Sequence, residues 1–316
     1  MIFAVSMKIQ LILIISLLTF EVGFSQPMLS PPPPEKIKIL SWNIYMLPGV
    51  VRVKGKGERA DAIGGLLKDS DYDVIVFQEA FQRKARKKIF RQLHEKYPYQ
   101  SGPANQQLIS YKTNSGLWIF SKHPIVSSHS IIFKNRSGID AFSRKGALIA
   151  EVNVNGSAVQ IAGTHLQNSG HPWIRQSQCV EFYNRLLKPF HKDGVPQIVC
   201  GDFNINRKKE EEYNFMLQTL RATDGELVGA LQFSYDRLQN DLHVEAGQGQ
   251  DLIDYILVRD PSNQFVSASR EIKAIRKNWD SIHADLSDHF ALEAELYFAH
   301  SPLFSKNIIE PTRANK

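Results

Sequence analysis

Cysteine is scarce: Cys179 and Cys200 are the only two in 316 residues. Two cysteines do not make a disulfide framework, and neither has the Cys/His spacing of a zinc site. Cys200 sits in the strand-like run Gln-Ile-Val-Cys-Gly and Cys179 in a helical pattern, so both read as small buried hydrophobes without a structural disulfide. Long apolar runs are lacking too. The run from Ile9 to Phe20 is short for a bilayer span, and no cysteine follows it to carry a lipoprotein anchor. No internal repeat is evident. With 43% hydrophobic and 22% charged residues the chain belongs to the globular class, with enough apolar mass for a sizeable core. Its net charge of +6 suits an anionic or phosphate-bearing partner, lipid surface or nucleic acid alike.

What is present begins with Met7-Lys8, an apolar stretch, and small residues near Gly23 and Ser25, the order of a secretory signal. Residues 1–25 are therefore expected to be a signal peptide, with Met7 as a second candidate start. The mature protein is expected to be secreted, extracellular or periplasmic, with no transmembrane segment and as a monomer. Residues 26–35, carrying Pro31 to Pro34, form an extended linker. The catalytic body spans 36–299, and 300–316 is a polar tail.

Within the body, strand-like runs at Ile37–Trp42, Val74–Phe77, Leu117–Phe120, Leu148–Val154, Val159–Gly163, Gln197–Cys200, Ile253–Val258 and Phe290–Leu296 alternate with helical spacing at Glu58–Lys68, Arg83–Tyr97 and Trp173–Phe190. Asn155-Gly156 is a hairpin turn signal. Strands joined partly by helices and partly by hairpins predict an α+β fold, with one mixed sheet or two and helices outside.

Polar residues gather where these strands end: Asn43, Glu79, His165, Asp202, Asn204 and Asp288-His289. Each has an ordinary reading as a turn, cap or core hydrogen bond. Asp254 is harder to dismiss, because a carboxylate among Leu252, Ile253, Tyr255 and Ile256 needs a buried partner, and a histidine cation would serve. Together they supply an oxygen ligand for Mg²⁺, two imidazoles, and an acid and an amide on one loop, the parts for in-line attack of water on a phosphodiester.

The ordered strings Trp42-Asn43, Gln78-Glu79, Gly163-Thr164-His165, Gly201-Asp202-Phe203-Asn204, Asp254-Tyr255-Ile256 and Ser287-Asp288-His289 resemble the endonuclease/exonuclease/phosphatase superfamily over the whole body. Longer strings resemble its sphingomyelinase C branch: Asn43-Ile44-Tyr45-Met46-Leu47-Pro48, Glu58-Arg59-Ala60-Asp61, Gln78-Glu79-Ala80-Phe81, Ser115 to Ile125, Lys145-Gly146-Ala147 and Gly163 to Gln167. This resemblance implies a DNase I-like four-layer α/β/β/α sandwich and a Mg²⁺-dependent phosphodiesterase, with Mn²⁺ or Co²⁺ as substitutes. Sphingomyelin or a related choline phospholipid at a membrane surface would be split into ceramide and phosphocholine. A secreted nuclease of the same fold is the alternative.

By position, Glu79 and Asn43 would hold the metal, with Asp288 at a second one. Asp254 would orient His289 as the base, His165 would meet the phosphate as a cation or donor, and Asp202 and Asn204 would bind phosphoryl oxygens. Tyr45 and Trp173 would face the substrate. Haemolytic members carry an exposed aromatic hairpin before the final Ser-Asp-His. Here Lys273 to Leu286 is short and polar, with Trp279 expected to be semi-buried.

Overall fold

Apolar side chains on both faces of its first strand place that strand in the middle of the molecule. Ile37 and Ile39 join one apolar cluster while Leu40, Trp42 and Ile44 join another, and all five are buried. The computed structural model describes residues 35–107, 112–168, 170–243 and 249–299. The expected signal peptide, nearly all of the linker and the tail lie outside these.

In chain order the elements are β1 (Lys36–Met46), α1 (Lys56–Leu67), β2 (Val74–Ala80), α2 (Arg83–Leu93), β3 (Tyr99–Ser101), β4 (Trp118–Ser121), β5 (Ile125–Ile132), β6 (Gly146–Val154) and β7 (Ser157–His165). Then come α3 (Pro172–Phe182), β8 (Gln197–Asp202), α4 (Glu210–Leu220), β9 (Thr223–Asp224), β10 (Glu226–Val228), β11 (Tyr235–Asp236), β12 (Gln250–Asp251), β13 (Asp254–Arg259), β14 (Phe265–Lys273) and β15 (Ala291–Phe298).

Two mixed sheets result. One runs β10-β14-β15-β1-β2-β4-β3 and the other β5-β6-β7-β8-β13-β9. The cluster containing Ile37, Val76, Ile161 and Val199 joins the sheets face to face and reaches α3 and α4. The cluster containing Trp42, Phe77, Ile63 and Ile89 seats α1 and α2 on the outer face of the first sheet. This is the expected α/β/β/α sandwich.

Local differences have physical reasons. The helix expected through Phe190 is regular only to Phe182, then passes into a π-helical turn, Tyr183–Leu187. The helix expected to reach Tyr97 ends at Leu93. β5, largely exposed at a sheet edge, and α4, with its acidic first turn, give little apolar periodicity to read. The Asn155-Gly156 turn joins β6 to β7, with φ of 49° and 97° at its two central residues. Both cysteines are buried and free.

Candidate active site

Strand register assembles the site. In the second sheet His165 of β7 lies beside Asp202 of β8, and Asp202 lies opposite Asp254 of β13. In the first sheet Asn43 pairs with Gln78, one residue before Glu79. The register between β1 and β2 then slips before Met46, a bulge that turns the strand ends over the gap between the sheets. Tyr45, Glu79 and Asn204 all have positive φ, at 50°, 55° and 52°. Such strain in non-glycine residues collects where function holds it in place.

These strand ends line a cleft of about 620 Å³ that includes Tyr45, Glu79, His165, Asp202, Asn204, Asp288 and His289. Asn43 is buried beside it. Another hollow, of about 480 Å³, lies at the opposite end of β13 around Arg221, Arg259 and Phe265, and it gathers no carboxylate–imidazole cluster. Trp173, expected against the substrate, is not among the cleft-lining residues. Pro172 opens α3, and Trp173 follows on its first turn with 54% of its surface exposed.

His289 Nδ1 is 2.8 Å from Asp254 Oδ2, and His289 Nε2 is 3.8 Å from Asp202 Oδ2. Trp42 Nε1 donates to the His289 carbonyl at 2.9 Å, fixing the backbone behind the ring. Burial by itself would lower the His289 pKa, but Asp254 and Asp202 outweigh it and raise the pKa well above the ordinary value. His165 behaves oppositely. Burial, then Lys145 and His289, hold its pKa well below normal. Of the two expected roles, cation or donor, this direction favours a neutral donor. His165 Nε2, not Nδ1, faces the charged groups: Lys145 Nζ at 3.0 Å, Asp202 Oδ2 at 3.4 Å and Glu79 Oε1 at 4.0 Å. That buried Nδ1 has no hydrogen-bond partner.

Asp202 accepts from Asn43 Nδ2 at 3.0 Å and from the Asn204 backbone N–H at 2.9 Å, yet burial and the Asp254 charge push its pKa to about 6. The Asn204 amide donates to the Leu166 carbonyl at 3.2 Å. Ser287 Oγ donates to the Asn43 carbonyl at 2.5 Å, tying the Ser-Asp-His string to the end of β1.

Glu79 is the group most in need of a cation. Burial and the Asp288 charge raise its pKa to about 8, and its buried Oε2 lacks any hydrogen-bond partner. A carboxylate in that state, with Asp288 beside it, fits a hard, oxygen-preferring divalent ion. Ligand atoms of Asp202, Asp254 and His289 also lie within 4.8 Å of one another. There the histidine ring already bridges toward both carboxylates.

Three residues escaped the sequence reading. Lys145 is buried, 3.0 Å from Asp140 Oδ1, and donates to the Leu166 carbonyl at 2.7 Å; the Lys-Gly-Ala string marked its place but not its role. Arg59 is fully buried and donates to the carbonyls of Ile44, Tyr45 and Leu286, clamping the strand end to the closing loop. Tyr235, from a segment without periodic signal, sets its ring 5.0 Å from that of His289. Trp279 is semi-buried as expected, stacked on His283 at 4.9 Å and packed against Gly55.

A carboxylate–imidazole pair beside a cation-seeking carboxylate, in a polar cleft between two sheets, defines a hydrolase of phosphate esters, and the comparisons narrow it to a phosphodiesterase. The model of the Endonuclease/Exonuclease/phosphatase family matches residues 40–289, and the chain belongs to that family. It is 28% identical to a phospholipase C of Staphylococcus aureus over 82% of this chain and 86% of that one. A sphingomyelinase C 2 of Leptospira interrogans is 32% identical over 89% of this chain but only 48% of its own length. Among solved structures, a Staphylococcus aureus beta toxin variant with bound magnesium ions has a TM-score of 0.76, at 26% identity over 84% of this chain and 100% of that one.

Proposed function

We propose that the protein is an exported, Mg²⁺-dependent enzyme that hydrolyses sphingomyelin, or a related choline phospholipid, to ceramide and phosphocholine. The observation that carries the reading is the meeting of the Asp254–His289 pair with the unsatisfied Glu79 carboxylate in one cleft. Relatives named for sphingomyelinase and phospholipase C activity support the lipid class.

Glu79 is the principal ligand for Mg²⁺, with Asp288 and the Asn43 amide near enough in the assembled site to contribute. Mn²⁺ or Co²⁺ would serve in its place. When bound, the ion neutralises charge on the phosphoryl oxygens and lowers the pKa of water. His289 then takes the proton of the attacking water at Nε2, while Asp254 holds Nδ1 and stabilises the imidazolium that forms. In the metal-free pocket the surrounding carboxylates keep His289 protonated. A cation held at Glu79 and Asp288 would oppose that field with its own charge and favour the neutral ring as the base. Neutral His165 would meet a phosphoryl oxygen through Nε2, the ring nitrogen that faces Asp202 and Glu79, with Lys145 beside it. Asp202 holds Asn43 and the Asn204 backbone in place. A quaternary ammonium would meet the cleft-lining rings of Tyr45 and Tyr235 rather than Trp173.

The test is product analysis with Mg²⁺ on sphingomyelin, phosphatidylcholine, lysophosphatidylcholine and duplex DNA. Phosphocholine release from sphingomyelin is expected. Cleavage of DNA with no lipid turnover would overturn the proposal in favour of a nuclease.

A further inference from the structure

The most exposed large apolar side chains are not scattered. Among the described residues the five highest are Val50 (93%), Ile139 (87%), Ile282 (72%), Phe142 (66%) and Leu238 (63%). All five come from loops at the catalytic end of the sandwich. Val50 stands three residues after cleft-lining Leu47, Ile139 itself lines the cleft, Phe142 follows Asp140 by two, and Leu238 follows Arg237. Such grouping at one end of a molecule marks an interaction surface, whereas single exposed apolar residues do not.

Two of these loops are built to present their side chains. Residues Gly138–Phe142 form a 3₁₀ turn with no buried member. With three residues per turn, Ile139 and Phe142 eclipse each other on one face. Their loop is braced from behind: Asp140 meets Lys145 at 3.0 Å and accepts from the Asn168 backbone at 2.9 Å, and Ser137 and Gln167 exchange two hydrogen bonds of 3.1 Å. Across the cleft, Lys56 Nζ donates to the carbonyls of Leu47, Pro48 and Val51, which holds Val50 outward. Braced backbone under bare apolar side chains resists the inward collapse that would hide them from water.

We propose that Val50, Ile139 and Phe142 are a two-sided membrane-docking rim that enters the outer layer of a zwitterionic bilayer and sets the cleft mouth against it. This rests on the lipid reading above, because a cleft that takes a bilayer lipid must open onto the bilayer, and both lips then touch it first. The short Lys273–Leu286 segment is a minor part of the surface, with Trp279 turned back onto Gly55. On α2, Arg86 is spent on the carbonyls of Ala80 and Phe81, and Lys88 on Asp61.

The test is flotation of the full chain with phosphatidylcholine vesicles in Mg²⁺, comparing wild type with Val50→Ser, Ile139→Ser, Phe142→Ser and the triple variant. Each single change is expected to weaken vesicle binding by about tenfold, consistent with loss of one buried aliphatic or aromatic side chain. The triple variant should stay in the dense fraction, and binding should be insensitive to about 0.5 M salt, since it is not electrostatic. Phe142→Ser should retain wild-type turnover of soluble p-nitrophenyl phosphorylcholine, which separates docking from folding and chemistry. Flotation of the triple variant at the wild-type level overturns the rim, as does wild type that never floats. If wild type floats through these residues yet releases nothing from sphingomyelin, the rim stands and the lipid-substrate reading falls.

Discussion

Replacing Glu79 with Gln should stabilise the metal-free protein while abolishing its response to Mg²⁺. The carboxyl titrates near 4.5 in an unfolded chain and near about 8 in the folded one. Folded protein thus keeps a proton that unfolded protein releases, so the group's contribution is intact below about pH 4.5 and lost progressively up to about pH 8. At 1.36 kcal/mol per unit the ceiling is about 5 kcal/mol. The side chain is 15% exposed and shares its charge with His289, so about half of that is the realistic figure, about 2–3 kcal/mol. For a domain of this size that is about 5–10 °C in Tm. Calorimetry in EDTA should therefore find Glu79→Gln melting above wild type at about pH 8.5 and converging with it near about pH 4.5. Adding Mg²⁺ should raise the wild-type Tm and leave the variant's unchanged. A variant that melts at or below wild type in EDTA at alkaline pH, or that gains as much from Mg²⁺, would refute the assignment of Glu79 as a strained ligand.

The same titration predicts that Mg²⁺ binds more tightly as pH rises toward about 8, with proton release measurable by calorimetry in buffers of different ionisation enthalpy. His289→Ala should lower kcat by about 1000-fold or more in the phosphocholine-release assay. Asp254→Asn should lower kcat too and shift the acid limb of the pH–rate profile downward, because the charge that raises the His289 pKa is gone. Gly201 has φ of 147°, and an added Cβ would stand 2.0 Å from the Thr164 carbonyl, so Gly201→Ala should cost about 2–4 kcal/mol in urea unfolding. Arg175 and Glu212 form a buried two-point pair between α3 and α4, at 2.6 and 3.0 Å. Arg175→Ala should cost about 3–5 kcal/mol, whereas a matched apolar pair at both positions should recover most of it by the same measurement.

Much of the fold is legible because both faces of the central strands are apolar. Runs such as Val74–Phe77 and Gln197–Cys200 stand out whatever surrounds them, and the polar residues that close them, Gln78-Glu79 and Gly201-Asp202, mark the site. What is not legible depends on long-range encounter. β5 and β14 are strands because a neighbour offers them an edge, not because their own residues insist on it. The role of Lys145 arises only when β6 lies against β7 and brings its amine to His165. Charge state is equally hidden: two histidines that look alike in sequence have pKa values shifted in opposite directions, because burial and the nearby Lys145 lower that of His165 while Asp254 and Asp202 raise that of His289.

Register carries the strongest consequence for how such a site is made. His165, Asp202 and Asp254 are consecutive partners across three adjacent strands, so backbone hydrogen bonds, not side-chain flexibility, set their separations. Side chains alternate faces along a strand, and a one-residue slip of β8 would turn Asp202 away from both neighbours. The opposite half of the site is held less rigidly, by a bulge in β1, strained φ at Glu79 and the buried clamp of Arg59. That division matches the chemistry proposed for each half. Asp254, which orients the base His289, sits where geometry is fixed by a ladder of hydrogen bonds, and the cation-seeking carboxylate sits on a strained strand end, where adjustment to an incoming ion costs least.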